Sequence, residues 1–367
     1  MSPREKILTI LQGKKPDCVP WFGDLDYWAT ALIGKGKKPA GFIRSADYIK
    51  WHKDMNVGFY LQGYYPFKPI YDFEEKIWNE GDKRFRVIIT PKGNLRECWT
   101  YIPESFSEAP VEHLLKDEND LAAIRFVYEN THWEKDYEYA LIRKDHIENQ
   151  GIMMGYSPKS PFMQLVALEA GIYAVTITEV TAPDEFAETL SVMKKCFDKA
   201  AQIAVESPVD ALFIPENLSS EVVGTNYFNK YMKKHHEEWT KKIRETGKYS
   251  FIHFDGTLKG LLREESSIGF SVIEAMTPKP VGDLKVDEWR QLSGETDTIF
   301  WGGIPGSYFT ALIDDKEFDR HVIETLAVMI KDPKFVLGVA DQVPPDGLEF
   351  RVRRVAELVE KYGKYEG

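Results

Sequence analysis

Five side chains able to bind a metal or carry protons stand at the ends of short apolar runs in the second half of the chain. Glu216 closes DALFIPE, His253 and Asp255 lie in SFIHFDG, Glu274 lies in FSVIEAM, and Asp341 closes KFVLGVAD. Carboxylates grouped with an imidazole have two physical uses. They can hold a hard or borderline divalent ion such as zinc, leaving a position open for substrate. They can also do acid–base work without a metal. His253 and Asp255 are two residues apart, so on a strand their side chains share a side. Taken singly, each group is equally well read as a solvated or capping residue. Taken together they resist that reading, because several like charges at one place are unfavourable without a cation.

The other histidines give less. His52, His113, His132 and His146 have no ligand spacing to one another. His235 and His236 fall in KKHHEEW, which reads as a solvated helix face, and His321 reads as a helix surface residue. No HExxH, P-loop or GxSxG signature occurs. Gly302-Gly303-Ile304-Pro305-Gly306 could cradle an anion or make a tight turn. Aromatic residues cluster near the N-terminus, among them Trp21, Phe22, Tyr27, Trp28, Phe59 and Tyr60. Core packing explains them; an aromatic-lined funnel for a flat substrate is the sharper alternative.

The elements that must position these groups are eight apolar runs, at 18–23, 57–61, 151–156, 210–216, 250–256, 270–276, 298–303 and 334–341. Continuous apolar runs suit strands buried on both faces, as in parallel sheets. Helical periodicity appears at 184–206, 226–247, 315–331 and 352–362. Strand–helix alternation with eight strands predicts an α/β protein, a (β/α)₈ TIM barrel in one domain over 1–367 with an N-terminal extension. In that fold the strand ends named above share one mouth. The interval 62–150 is too long for one crossover. It contains RFRVIIT and LRECWTYI around Pro91-Lys92-Gly93-Asn94, which predicts a β-hairpin insertion within roughly 65–145. The stretch 116–139 reads as helical.

Acidic residues outnumber basic ones, 58 to 47, giving a net charge of −11. That opposes general nucleic-acid binding. No run approaches the length of a membrane helix, and no signal peptide is recognisable. Three scattered cysteines, Cys18, Cys98 and Cys196, suit reduced thiols. A cytoplasmic protein is expected, with no membrane partner; whether it forms a homodimer is left open.

Residues at both ends of the chain resemble a known family. REKILTILQGKKPDCVPW is similar to the opening of the uroporphyrinogen decarboxylase superfamily, and DTIFWGGIPGSYF with KFVLGVADQVPPDGLEFRVRRVAELVEKYGKY is similar to its end. The resemblance covers most of 1–25 and 150–365 and implies a (β/α)₈ barrel. The decarboxylases carry Met-Arg-Gln-Ala-Gly-Arg after the first strand. Here that place reads Phe22-Gly23-Asp24-Leu25-Asp26-Tyr27, without arginines for an acidic tetrapyrrole. The superfamily's zinc-dependent corrinoid methyltransferases carry His-x-Cys on the fifth strand and Cys on the eighth. Here those places read His253-Phe254-Asp255 and Asp341. Carboxylates in place of thiolates suit a harder Lewis acid acting on an oxygen leaving group, as in the aromatic O-demethylase branch.

The resemblance thus implies bound Zn²⁺ held by Glu216, His253, Glu274 and Asp341, with His253 and Asp255 catalytic and Trp21, Phe22, Tyr27 and Trp301 around the substrate. The substrate would be a small methoxylated aromatic. Its methyl group would pass to the Co(I) corrinoid of a partner protein, since nothing here resembles a corrinoid-binding Asp-x-His-x-x-Gly segment. Alternatives are a decarboxylase-like enzyme without metal, a corrinoid-to-folate methyltransferase, and a non-catalytic binding barrel.

Overall fold

The computed structural model describes residues 1–365. The chain divides into two compact units. One comprises Met1–Tyr64, Tyr137–Tyr156 and the chain from Pro208 onward; the other comprises Tyr65–Asp136 and Ser157–Ser207. Among the described residues, no helix is long and apolar enough to cross a membrane.

The first unit is built on a curled parallel sheet. Its strands are Trp21–Phe22, Phe335–Ala340, Ile299–Pro305, Val272–Met276, Tyr249–His253, Ala211–Ile214 and Met154–Tyr156, each paired with the next in that order. Phe59–Tyr60 pairs in parallel with Gly151–Ile152, and a parallel bridge joins Phe22 to Gly58. All eight expected apolar runs therefore contain a strand. The sheet forms where it does because each run is apolar along most of its length, so both faces can be buried.

Helices follow the later strands. Asp315–Met329 shows why: Asp314 caps it by accepting from the Glu317 N–H at 2.9 Å, and Phe318, Val322, Leu326 and Met329 fall on its buried face. Glu349–Tyr362 buries Val352, Val355 and Val359 in the same way. At the N-terminus, Pro3–Leu11 is a helix with a capping box from Ser2 and Glu5.

The inward positions of the sheet alternate strictly. Ile152 and Met154, Ala211 and Phe213, Phe251, Val272, and Ile299 and Trp301 share one buried cluster with Phe22 and Tyr60. Trp301 is its centre, with ring centroids 5.1 Å from Phe22, 4.7 Å from Tyr60 and 5.8 Å from Phe251. Gly302 and Gly303 lie inside a strand, so they form neither an anion cradle nor a turn. Gly302 is required by closeness: a Cβ there would stand 2.3 Å from the Met276 carbonyl oxygen.

The second unit corrects two expectations. The hairpin is the middle of a four-stranded antiparallel meander, Glu74–Glu80, Lys83–Ile89, Leu95–Ile102 and Ser107–Glu112. Its first strand, EEKIWNE, is almost wholly exposed and charged, so it lacks the apolar alternation by which strands are read. The stretch 116–139 is not one helix. Leu121–Glu129 is helical, but the Asn130 side chain bonds back to the Phe126 carbonyl at 2.8 Å, and Thr131–Lys135 then pairs with Phe67–Tyr71. The unit also takes in Gly171–Thr181 and Pro183–Glu206, beyond the span expected for the insertion.

Trp301 fills the floor of the sheet, so Trp301→Ala should cost about 3–5 kcal/mol of unfolding free energy. Urea unfolding measures it. A loss below about 1 kcal/mol would show that the residue is not a packing centre.

Candidate active site

The inward register carries past the apolar cluster to His253. Phe251 points in, Ile252 out and His253 in again, and His253 sits beside Glu274 in the ladder. Their side chains meet, with His253 Nδ1 2.7 Å from Glu274 Oε2. Tyr60 donates to the other oxygen, Oε1, at 3.1 Å. The far nitrogen of the ring, Nε2, lies 3.7 Å from Asp341 and 3.9 Å from Asp255. Phe213 stands beside the ring at 5.5 Å between centroids, with Tyr156 stacked on Phe213 at 4.7 Å.

The backbone is bent where it delivers these groups. Asn217, Ala275 and Asp341 are non-glycine residues at φ 53°, 64° and 69°. The register between Val272–Met276 and Ile299–Pro305 also shifts after Ile273. A bulge of this kind re-aims side chains at a strand end, and left-handed residues cluster where structure is held against local preference.

Asp24 belongs to the same group, although its only sequence signal was an acid where the decarboxylases keep arginines. It is buried, and its Oδ1 accepts from the Asp26 N–H at 2.9 Å. Burial first, then the nearby Asp26, Asp341 and Glu274, holds its carboxyl well above the usual range. Asp26 accepts a short hydrogen bond from the Tyr48 hydroxyl; burial raises it to about 6 against that bond and the charge of Arg143. Asp341 keeps about half its side-chain surface, 52%. Desolvation, with the like charges of Asp255 and Glu274, still pushes it up to about 6 against the pull of His253. Burial disfavours a charged His253, but Glu274, Asp255 and Asp341 outweigh it and hold the ring up at about 9.

Several expected site residues lie elsewhere. Glu216 does not join His253. Ala211 and Phe213 face inward, so Ile214 and Glu216 turn the other way, and Glu216 Oε1 lies 3.1 Å from His236 Nε2. His236 also faces Glu265, with Nδ1 at 3.1 Å, and all three side chains are fully buried. His235 and His236 are thus not a solvated face: the helix Lys233–Glu245 buries both together with Trp239 and Ile243. His52 is buried among aromatic rings, and His321 Nε2 donates to the Gly303 carbonyl at 2.8 Å. Phe22 and Trp301 are floor residues with no exposed surface. Trp21 points away from them and stacks on Phe309 at 6.3 Å, and Tyr27 is half-buried. Tyr60, read from sequence only as one of the N-terminal aromatic cluster, reaches this group through its bond to Glu274.

Among the described residues, no group of three His, Cys, Asp or Glu side chains is already drawn together as a metal site. The donor set near His253 Nε2 nevertheless suits a hard or borderline dication. One imidazole nitrogen and two carboxylates face a common gap, and a third carboxylate, Glu274, holds the other ring nitrogen, as outer carboxylates do behind metal-bound histidines. The gaps of 3.7 and 3.9 Å exceed the roughly 3.4 Å ligand–ligand edge of a tetrahedral site with bonds near 2.1 Å. Rotations of a few tenths of an ångström in the carboxylates would close that difference.

Neither a known protein-family model nor a curated protein matches the chain. Solved structures do. A methyltransferase from Methanosarcina mazei is 10% identical, with 99% of each chain covered and a TM-score of 0.65. At that identity the likeness shows a shared fold. A structure of the pneumococcal virulence factor StrH is 11% identical over 67% of this chain and 64% of that one, but its TM-score of 0.32 carries no argument.

The buried Glu216–His236–Glu265 group generates a prediction of sign. Burial opposes its charge, yet Glu265 and Glu216 raise His236 to about 10. Its contribution is therefore complete below the unfolded value of about 6.5 and is lost as pH rises through about 10. Thermal midpoints should fall over that interval. His236→Leu should cost about 3–5 kcal/mol at neutral pH, by leaving two buried carboxyl groups without their partner. A midpoint indifferent to both changes would contradict the assignment.

Proposed function

We propose that this chain is a zinc-dependent methyltransferase that removes the methyl group of a methoxylated aromatic compound and passes it to the Co(I) corrinoid of a partner protein. The setting of His253 carries the reading: Glu274 occupies Nδ1, while Nε2 faces Asp255 and Asp341. The fold shared with a methyltransferase supports it. The proposal takes the sheet as a closed (β/α)₈ barrel, supported by the Phe22–Gly58 bridge and the ladder between the second and third strands. A cytoplasmic setting belongs to the same proposal.

His253 Nε2, Asp255 and Asp341 would hold the zinc, with Glu274 orienting the imidazole from behind and Tyr60 fixing Glu274. This differs from the set implied by the family resemblance, in which Glu216 and Glu274 were ligands. Bound there, zinc supplies a Lewis acid for the ether oxygen. The residues of the chain do the rest. Tyr156, half-buried and stacked on the buried Phe213 beside His253, offers a flat face against which an aromatic ring can lie. When the methyl carbon departs without the C–O bonding pair, the oxygen left behind gains negative charge. Asp24, whose carboxyl keeps its proton into a higher pH range, would supply one.

One observation favours a second reading, acid–base chemistry without a metal. A charged His253, and an Asp24 whose carboxyl is held well above the usual range, also relieve the crowding of carboxylates.

The test uses the full chain, a Co(I) corrinoid protein and a methoxyarene. Demethylation should disappear on chelation and return with Zn²⁺. His253→Ala should reduce kcat about 100-fold or more in the protein that remains folded, although it also leaves the buried Glu274 without its partner, whereas Glu216→Gln should act on stability before activity. Turnover indifferent to chelation would favour the metal-free reading, and no demethylation of any methoxyarene would overturn the proposal.

A further inference from the structure

The unit formed by Tyr65–Asp136 and Ser157–Ser207 contains a cavity of its own, of about 480 Å³. That volume suits a ligand of one or two rings. Tyr65, Phe67, Tyr71, Tyr128, Trp133 and Phe197 give it aromatic walls. Glu169 also lines it and is nine-tenths buried, at 8% exposure. Tyr128 donates a short hydrogen bond to Glu169 Oε1, and Gln164 Nε2 donates to the same oxygen at 3.0 Å. The second oxygen, Oε2, is buried and accepts no hydrogen bond from the protein. A buried acceptor left without a donor costs about 1–3 kcal/mol, so a ligand that supplies the donor recovers it. Glu169 sits at the end of a π-helical turn, Leu165–Glu169, a distortion frequent at functional sites.

We propose that this cavity binds a neutral, flat aromatic compound bearing a hydroxyl group, whose O–H donates to Glu169 Oε2 while its rings lie against the aromatic walls. When Glu169 is ionised the orphaned atom is an acceptor only, so it requires a donor and rejects a methyl ether of the same shape. Charge selects among donors. Of the basic residues that line the cavity, Arg86 pairs with Glu75 and Glu97 and Lys68 with Glu134, so Glu169 Oε2 is the acceptor offered to a ligand, and a neutral hydroxyl fits it without burying a ligand charge. Burial raises Glu169 to about 7, opposed by the bonds from Tyr128 and Gln164, so the accepting form gains as pH rises through neutrality. The inference rests on this unit alone and stands whether or not the methyl-transfer reading does.

Equilibrium dialysis of the full chain with 2-naphthol and 2-methoxynaphthalene tests it. At pH 8 the naphthol should bind about ten-fold or more tightly than its methyl ether, as expected for a hydrogen bond to a carboxylate. Glu169→Met should abolish that preference. Leu168→Trp, at a half-exposed lining residue, should weaken naphthol binding with the fold intact, which assigns the site to this cavity rather than to His253. Equal binding of alcohol and ether by the unsubstituted chain would overturn the proposal. So would a preference unchanged in both variants, or tighter binding of 1-naphthylmethylammonium than of the naphthol.

Discussion

Carboxyl groups drawn to one point repel, and the mouth of the parallel sheet is built round that problem. Two unit charges 4 Å apart interact by about 4 kcal/mol at an effective dielectric near 20. Asp24, Asp255, Glu274 and Asp341 all act on this small region, and one imidazole stands among them. The structure answers in two ways. It keeps His253 positive over a wide pH range, and it raises Asp24 and Asp341 so that they release protons late. A dication between His253 Nε2, Asp255 and Asp341 would answer more completely and would turn a strained cluster into a Lewis-acid centre.

The rest of the first unit serves that placement. Period-two alternation puts an apolar cluster round Trp301 below and the reactive groups above it on the same inward column. The left-handed residues Ala275 and Asp341 turn the ends of two strands beside His253, and the ladder between Val272–Met276 and Ile299–Pro305 shifts register there. The same alternation sends Glu216 to the opposite face, where His236 and Glu265 enclose it. One rule of strand geometry thus separates a reactive imidazole–carboxyl group from a structural one.

Much of the fold was legible because buried parallel strands announce themselves as unbroken apolar runs. Each of the eight runs holds a strand, and the helices 315–331 and 352–362 appear within two or three residues of their expected bounds. The grouping of His253, Asp255, Glu274 and Asp341 was legible because they are polar residues at apolar strand ends, and the structure brings these four together. What failed was parity and depth. Glu216 and Trp21 face away from the inward column, whereas Phe22 and Trp301 face inward but lie in the packed floor below the reactive groups. His236 was misread because a charged neighbourhood conceals a buried residue when its partners, Glu216 and Glu265, come from other elements. The exposed meander was unreadable for the opposite reason: Glu74–Glu80 has too little apolar content to mark a strand.

The central claim is that an oxygen-rich gap beside His253 Nε2 accepts a dication. X-ray absorption at the zinc edge, on the protein loaded with one equivalent of Zn²⁺, tests it most directly. The account predicts only nitrogen and oxygen neighbours at about 2.0–2.2 Å, one of them an imidazole lost in His253→Ala. A sulfur shell at about 2.3 Å, or an imidazole signal unaltered in that variant, would place the metal elsewhere and contradict it.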